Sequence, residues 1–153
     1  MKMDERFMQE ALAEARLAAA MGEVPVGAVI VREGEIIARA HNTRETEKNA
    51  LHHAEILAIE AACRHVGGWR LTDCTLYVTL EPCPMCGGAI LNARLGRVVY
   101  GAKDASMGVF GSVLNYNAYP LGYKVPVTYG VLETESRALL QAFFEAARKR
   151  KKR

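Results

Sequence analysis

Two short motifs hold the residues of this chain whose types and spacing could do chemistry: His53-Ala54-Glu55 and, further along, Pro82-Cys83-Pro84-Met85-Cys86. Together they offer one imidazole, two thiols and one additional carboxylate. Three nitrogen and sulfur ligands are the count of a catalytic zinc site, which keeps a fourth position open, whereas a structural site closes it with a protein ligand. Zinc lowers the pKa of a bound water from about 16 to about 7, and a carboxylate within hydrogen-bond range can move that water's proton to a substrate. Zinc-assisted hydrolysis is therefore the expected chemistry, with His53, Cys83 and Cys86 as ligands and Glu55 as the proton shuttle.

Position within helices makes this workable. Two cysteines separated by two residues at a helix start can turn both sulfurs toward one metal, while the helix dipole and free N–H groups favour the thiolate. Glu55 is too close to His53 for both side chains to share a helical face, but a helix start relaxes that conflict. A C-x-x-C pair alone would also suit a redox site. Cys63, in an apolar helical pattern, and Cys74, at the start of a strand, are poorly placed to complete a closed zinc site and read as buried reduced thiols. His41, His52 and His65 read as loop, surface or core histidines, although His52 adjoins the site.

The elements that must position these motifs follow from periodicity. Phe7, Met8, Ala11, Leu12, Ala15, Ala18 and Ala19 predict an amphipathic helix within residues 4–21, stopped by Gly22. Val24 to Arg32 reads as a buried strand with Pro25 at its start, Glu33-Gly34 as a hairpin turn, and Glu35 to His41 as a second strand before a polar loop, Asn42 to Asn49. Ile56, Leu57, Ile59, Ala61 and Cys63 predict a helix from His53 to near Gly67-Gly68. Thr75 to Leu80 is a strand, interrupted by Glu81-Pro82, and Pro84 suits the first turn of a helix continuing to Arg94. A short strand at 98–100, a Gly- and Tyr-rich connection over 101–124, a strand at 125–132 and a closing helix at 133–150 complete the pattern. Strands alternating with helices predict one α/β domain with helices on both faces of a central sheet.

The chain has 153 residues and is 50% hydrophobic, enough for a single core without disulfide staples. It has no apolar run able to cross a bilayer, and Met1 to Arg6 lacks the apolar centre of a signal peptide, so a cytoplasmic protein with no membrane partner is expected. The net charge of +3 conceals an asymmetry, because Arg148 to Arg153 are all basic and leave residues 1–147 net negative. This divides the chain into a domain over 1–147 and a basic tail over 148–153, which is either an electrostatic handle for phosphates or a solvated end.

With H-A-E and P-C-P-M-C in place, the sequence resembles the zinc-dependent cytidine/deoxycytidylate deaminase superfamily, and more closely the bacterial tRNA-specific adenosine deaminases. Gly22 to Val31, His41-Asn42, Leu76 to Cys86 and Gly101 to Asp104 carry the resemblance, which covers most of the chain. It implies a three-layer α/β/α cytidine-deaminase-like fold with a central mixed sheet of about five strands. It implies one zinc ion per subunit on His53, Cys83 and Cys86, with Glu55 moving protons. Attack of hydroxide at C6 of adenine would give a tetrahedral intermediate, and loss of ammonia would give inosine. The implied substrate is the wobble adenosine of a tRNA anticodon stem-loop, whose unpaired nucleotide can be splayed into a pocket at low unstacking cost. The implied assembly is a homodimer with tRNA spanning both subunits. Asn42 matches an asparagine that holds the nucleoside, Val26 and Ala54 fall where the purine pocket is lined, and Asp104 falls beside the RNA-binding groove. From the residues alone, Asn42 is a turn residue after a strand and Asp104 a loop acid.

The sequence departs from its relatives where substrate would be chosen. Ser106 replaces a basic residue, His52 stands where a small residue is common, and Asn115 to Lys124 lacks an Asn-His pair. Phe110, Tyr116, Tyr119 and Tyr123 could stack on loop bases or only cover the core or a dimer interface. Two other functions compete. A guanine or cytosine deaminase acting on a free base or nucleoside would use the same zinc site. A non-catalytic, zinc-containing RNA-binding subunit would not need Glu55.

Overall fold

The apolar stripe of the first segment forms helix α1 (Lys2–Ala20), which buries Phe7, Met8, Ala11, Leu12, Ala15 and Ala18. It lies directly on strand β1 (Gly27–Arg32), and the approach is close enough that a Cβ at Gly27 would overlap the backbone of Ala11 and Ala15. Only glycine leaves room there. The computed structural model describes residues 2–151 of the chain.

Glu33 and Gly34, both with positive φ (52° and 78°), make the two-residue turn that returns the chain as β2 (Glu35–His41), antiparallel to β1. Strand β3 (Cys74–Leu80) pairs antiparallel with the other edge of β1, and β4 (Arg97–Ala102) and β5 (Val127–Tyr129) follow in parallel, giving the order β2-β1-β3-β4-β5. The parallel pair β3 and β4 is joined through helix α3 (Pro84–Asn92). Helix α2 (Ala54–Val66) joins β2 to β3, and α4 (Glu133–Lys151) ends the described chain.

Strand alternation sorts the core into two layers of contact. Val29, Val31, Tyr77 and Val99 pack with Phe7, Met8 and Ala11 of α1. Ala28, Ile30, Leu76, Val78 and Val98 point the other way and pack with Ala58 and Ala62 of α2 and Ile90 of α3. The result is the expected three-layer α/β/α domain with a mixed five-stranded sheet. Helix α4 packs beside α1 against β4, burying only Ser136, which sits against Gly101.

A polar clamp fastens α1 to the middle of the sheet. Asp4 accepts hydrogen bonds from Tyr77 Oη at 2.8 Å and from both terminal nitrogens of Arg97 at 2.9 and 2.7 Å. Paired Arg97 nitrogens hold the Asp4 carboxyl below the usual carboxylate range against the opposing effect of burial.

Several boundaries differ from expectation, two of them beside prolines. The first strand begins at Gly27 rather than Val24, because Pro25 offers no N–H to a ladder and Val26 N–H turns back onto Val24 O at 2.9 Å. The last strand is Val127–Tyr129 rather than 125–132, since Pro126 precedes it and Gly130 takes a positive φ of 80° after it. Within the connection over 101–124 lies a 3-10 turn, Tyr116–Ala118. Cys74 is buried, which raises its thiol to about 11, while Cys63 is only half-buried, and both are free. Of the basic end, Arg148 to Lys151 continue α4, and Lys152 and Arg153 lie outside the described residues. Among the described residues no helix is long and apolar enough to cross a membrane.

Candidate active site

His53 is the N-cap of α2 and Cys83 the N-cap of α3. Both have extended backbones, and neither side chain caps its own helix, so imidazole and thiol are free to face each other. Pro84 follows Cys83 at the first helical position, where its fixed φ and missing N–H cost nothing. One turn on, Cys86 is fully buried behind the pair. His53 Nδ1 lies 3.6 Å from the Sγ of Cys83 and 3.6 Å from that of Cys86.

The three donor atoms lie within 4.8 Å of one another, and among the described residues they are the group that could hold a metal ion. A tetrahedral zinc ion, with Zn–S of about 2.3 Å and Zn–N of about 2.0 Å, would separate nitrogen from sulfur by about 3.6 Å. The donor set therefore fits zinc in type and spacing. Its electrostatics agree: the hydrogen bond from Cys86 pulls the Cys83 thiol down to about 4, the Cys83 sulfur pushes Cys86 upward, and Cys83 likewise raises His53. The lowered Cys83 favours an anionic sulfur, and the raised Cys86 and His53 favour keeping their protons beside it.

In front of these donors is a cavity of about 250 Å³, small beside the roughly 300–1,000 Å³ of sites for drug-sized ligands. Val24, Val26, Ala54, Leu80 and Met107 supply its apolar walls, and Asn42, Arg44, Glu55 and Asp104 its polar groups. Glu55 is 4% exposed, and burial pushes its carboxyl up to about 7. It opens α2 beside His53 but does not belong to the close cluster of ligand atoms. A dry pocket wall thus presents a carboxyl group to whatever occupies the space between ligands and cavity.

Residues 2–148 match the family model described as MafB19-like deaminase. A protein of Bacillus subtilis (strain 168), a tRNA-specific adenosine deaminase, is 51% identical over 99% of this chain and 95% of its own length. The chain belongs to the MafB19-like deaminase family. A solved structure from work on A-to-I editing by tRNA:A34 deaminases at the wobble position of transfer RNA has a TM-score of 0.85 and 43% identity, covering 88% of this chain and 99% of that one. A guanine deaminase from Nitrosomonas europaea is more distant, with a TM-score of 0.79 and 26% identity over 91% of this chain and 83% of its own.

In this deaminase, Val26, Asn42, His53, Ala54, Glu55, Cys83 and Asp104 all meet at the one cavity, with Cys86 behind it. Asn42 lines the cavity but also builds the turn that its position after a strand suggested: its amide donates to Val24 O at 3.3 Å and its Oδ1 accepts from Arg44 N–H at 3.1 Å. Asp104 likewise folds its own loop, with Oδ1 accepting from the N–H and hydroxyl of Ser106 and from Met107 N–H. Of the aromatic residues, Phe110 is buried, Tyr116 packs on it and donates to Pro84 O, and Tyr123 donates to Leu95 O at 2.6 Å. Those three cover the core, and Tyr119, 47% exposed, is the one left facing solvent. His41 pairs with Glu14 at 2.9 Å and His52 with Glu47 at 2.8 Å, while His65 is exposed.

The motifs did not single out Arg44, Met107 and Glu81, which line the cavity, or Glu23, a second buried acid that holds a loop contributing to it. Glu23, 1% exposed, accepts N–H groups from Glu45 and Thr46 and so ties down the 42–49 loop. Glu81, 2% exposed, does the same for the segment after β4. Both fall within stretches that carry the family resemblance, but as individual residues each offered only an acid placed among apolar residues at the end of a helix or strand.

Proposed function

We propose that this deaminase hydrolyses adenosine to inosine at the wobble position of a tRNA anticodon, with zinc held by His53, Cys83 and Cys86, one ion per subunit. The observation that carries the chemistry is Glu55, a buried carboxyl that lines the cavity beside the three ligands without joining them. Ligation needs no such group, so a non-catalytic subunit would have no use for it. Extensive similarity to a tRNA-specific adenosine deaminase supports RNA adenosine over a free base.

When bound, zinc would act as a Lewis acid that brings the pKa of water from about 16 to about 7. The side chains do the rest. Val26 and Ala54 hold the flat faces of one purine, and the small cavity admits the base while leaving the ribose and phosphates at its mouth. Asn42 and Asp104 border that mouth and position the nucleoside and the flanking RNA. Glu55 moves both protons of the attacking water in turn at its carboxylate oxygen, the first to N1 of the purine ring and the second, given up by the new C6 hydroxyl, to the departing amino group. Water adds at C6, the C–N bond breaks, and ammonia leaves, so adenosine and water become inosine and ammonia.

Residues 1–147 constitute the catalytic domain, and the basic residues 148–153 add attraction for RNA phosphates. The assembly we infer is a cytoplasmic homodimer with the anticodon stem-loop spanning both subunits. The decisive assay incubates purified protein with an anticodon stem-loop carrying a wobble adenosine and, separately, with adenosine, guanine, cytosine and cytidine. Inosine formed in the RNA alone is the expected result, and turnover of a free base alone would overturn it.

A further inference from the structure

Part of the cavity wall is a loop with little regular secondary structure, and one buried side chain outside the loop ties several of its points together. Glu81 lies at the end of β3, two residues before Cys83, and is buried. Its Oε1 accepts the Asp104 N–H at 3.0 Å and the Ser112 hydroxyl, and its Oε2 accepts the Phe110 N–H at 3.0 Å and the Ser112 N–H at 3.2 Å. Both oxygens are thus spent on one loop. Gly108 lies so near the carboxyl that a Cβ there would overlap it. Between these anchor points, Asp104 and Met107 line the cavity.

We propose that Glu81 is a positioning residue that sets the substrate-facing wall of the cavity, fixing Asp104 and Met107 relative to Cys83 and thereby the affinity for RNA. This rests on the RNA deaminase function proposed above. Glu81 is also part of the cavity lining, but both of its oxygens are engaged by the loop rather than offered to a substrate. Its partners are backbone N–H groups, which fix where the chain runs whatever side chains the loop carries. A glutamine cannot substitute, because it keeps one acceptor oxygen and turns an NH₂ toward the remaining donors. Placed with its oxygen at the Oε2 position, it retains Phe110 and Ser112 and releases Asp104, the residue at the cavity.

The test compares wild type with Glu81→Gln in metal content, in the concentration of anticodon stem-loop that half-saturates single-turnover deamination, and in the maximal rate. Expected is wild-type metal content, a half-saturating concentration raised about tenfold, and a maximal rate lowered by less than about threefold. A loop serving only stability would leave that concentration where it was, and this result overturns the proposal. Loss of metal together with affinity overturns it too, by making Glu81 a support for Cys83. Should Glu81→Gln fail to fold, Gly108→Ala decides instead: it keeps the glutamate but sets a Cβ against its carboxyl, breaking the same anchor from the loop side, so the same rise supports the proposal and no rise overturns it. Wild-type protein that converts no adenosine in RNA refutes the function itself and takes this proposal with it, whereas an active wild type matched by both variants refutes only the role of Glu81.

Discussion

His53 and Cys83 hold the same position in two different helices. Each is an N-cap in extended conformation, with φ and ψ of −75° and 155° for His53 and −80° and 175° for Cys83. An N-cap side chain ordinarily accepts an N–H from its own first turn. Here neither does, and the two helices instead direct an imidazole and a thiol at each other across 3.6 Å. Capping is given up at both helix starts, and the donors that result are the type a metal binds.

That division of labour separates ligands from catalyst. Cys83→Ala removes one of three donors and is expected to lose both zinc and activity. Glu55→Ala removes a group outside the ligand cluster, so zinc content should remain while the rate falls about 100- to 10,000-fold, the range attributable to a positioned proton carrier. Metal analysis and single-turnover kinetics on the same preparations distinguish the two. A zinc-free Glu55→Ala protein would contradict the roles.

The Asp4 clamp predicts a pH dependence of stability. Arg97 and, secondarily, Tyr77 hold the folded Asp4 carboxyl below its ordinary value of about 4. A carboxylate with a depressed folded pKa contributes stability that is present above the unfolded pKa and lost as pH falls through the folded one. Asp4→Asn should therefore cost about 2–3 kcal/mol near neutral pH, and its deficit relative to wild type should shrink on acidification below about pH 4. Urea midpoints from pH 7 to 3 measure both curves, and a deficit that stayed constant would remove the ionised clamp as its cause.

Chemistry confined to neighbouring residues was legible in the sequence, and chemistry spread across it was not. His53 and Cys83 announced themselves because ligand type and helix start coincide within a few residues, and both motifs lie where local signals placed them. The alternation of strands and helices likewise predicted the three layers, since burial on both sheet faces needs it. Strand ends were harder, because Pro25 and Pro126 break ladders that apolar composition alone would extend. Glu23 and Glu81 had no readable partner: they bind backbone N–H groups 22 to 31 residues away, which every non-proline residue possesses. For the aromatic side chains the sequence left base stacking and core cover both open, and Phe110, Tyr116 and Tyr123 follow the second, because core contacts and, for the tyrosines, backbone carbonyl partners engage them.

Glu23 gives the last prediction, through a second loop that contributes to the cavity. Its Oε1 accepts Glu45 N–H at 3.1 Å and its Oε2 accepts Thr46 N–H at 2.5 Å, so one carboxylate holds the turn that follows Asn42 and Arg44. Both of those residues line the cavity. Glu23→Gln keeps at most one acceptor in place and leaves a buried N–H opposed by an NH₂, a mismatch that should cost about 1–3 kcal/mol. Because the anchored loop lies beside the pocket rather than under the zinc ligands, zinc content should persist while the half-saturating RNA concentration rises severalfold. Denaturant unfolding and RNA titration of the same variant check the pair of effects. A variant that loses stability yet binds RNA as tightly as wild type would confine Glu23 to folding, and would show that Asn42 and Arg44 keep their places without it.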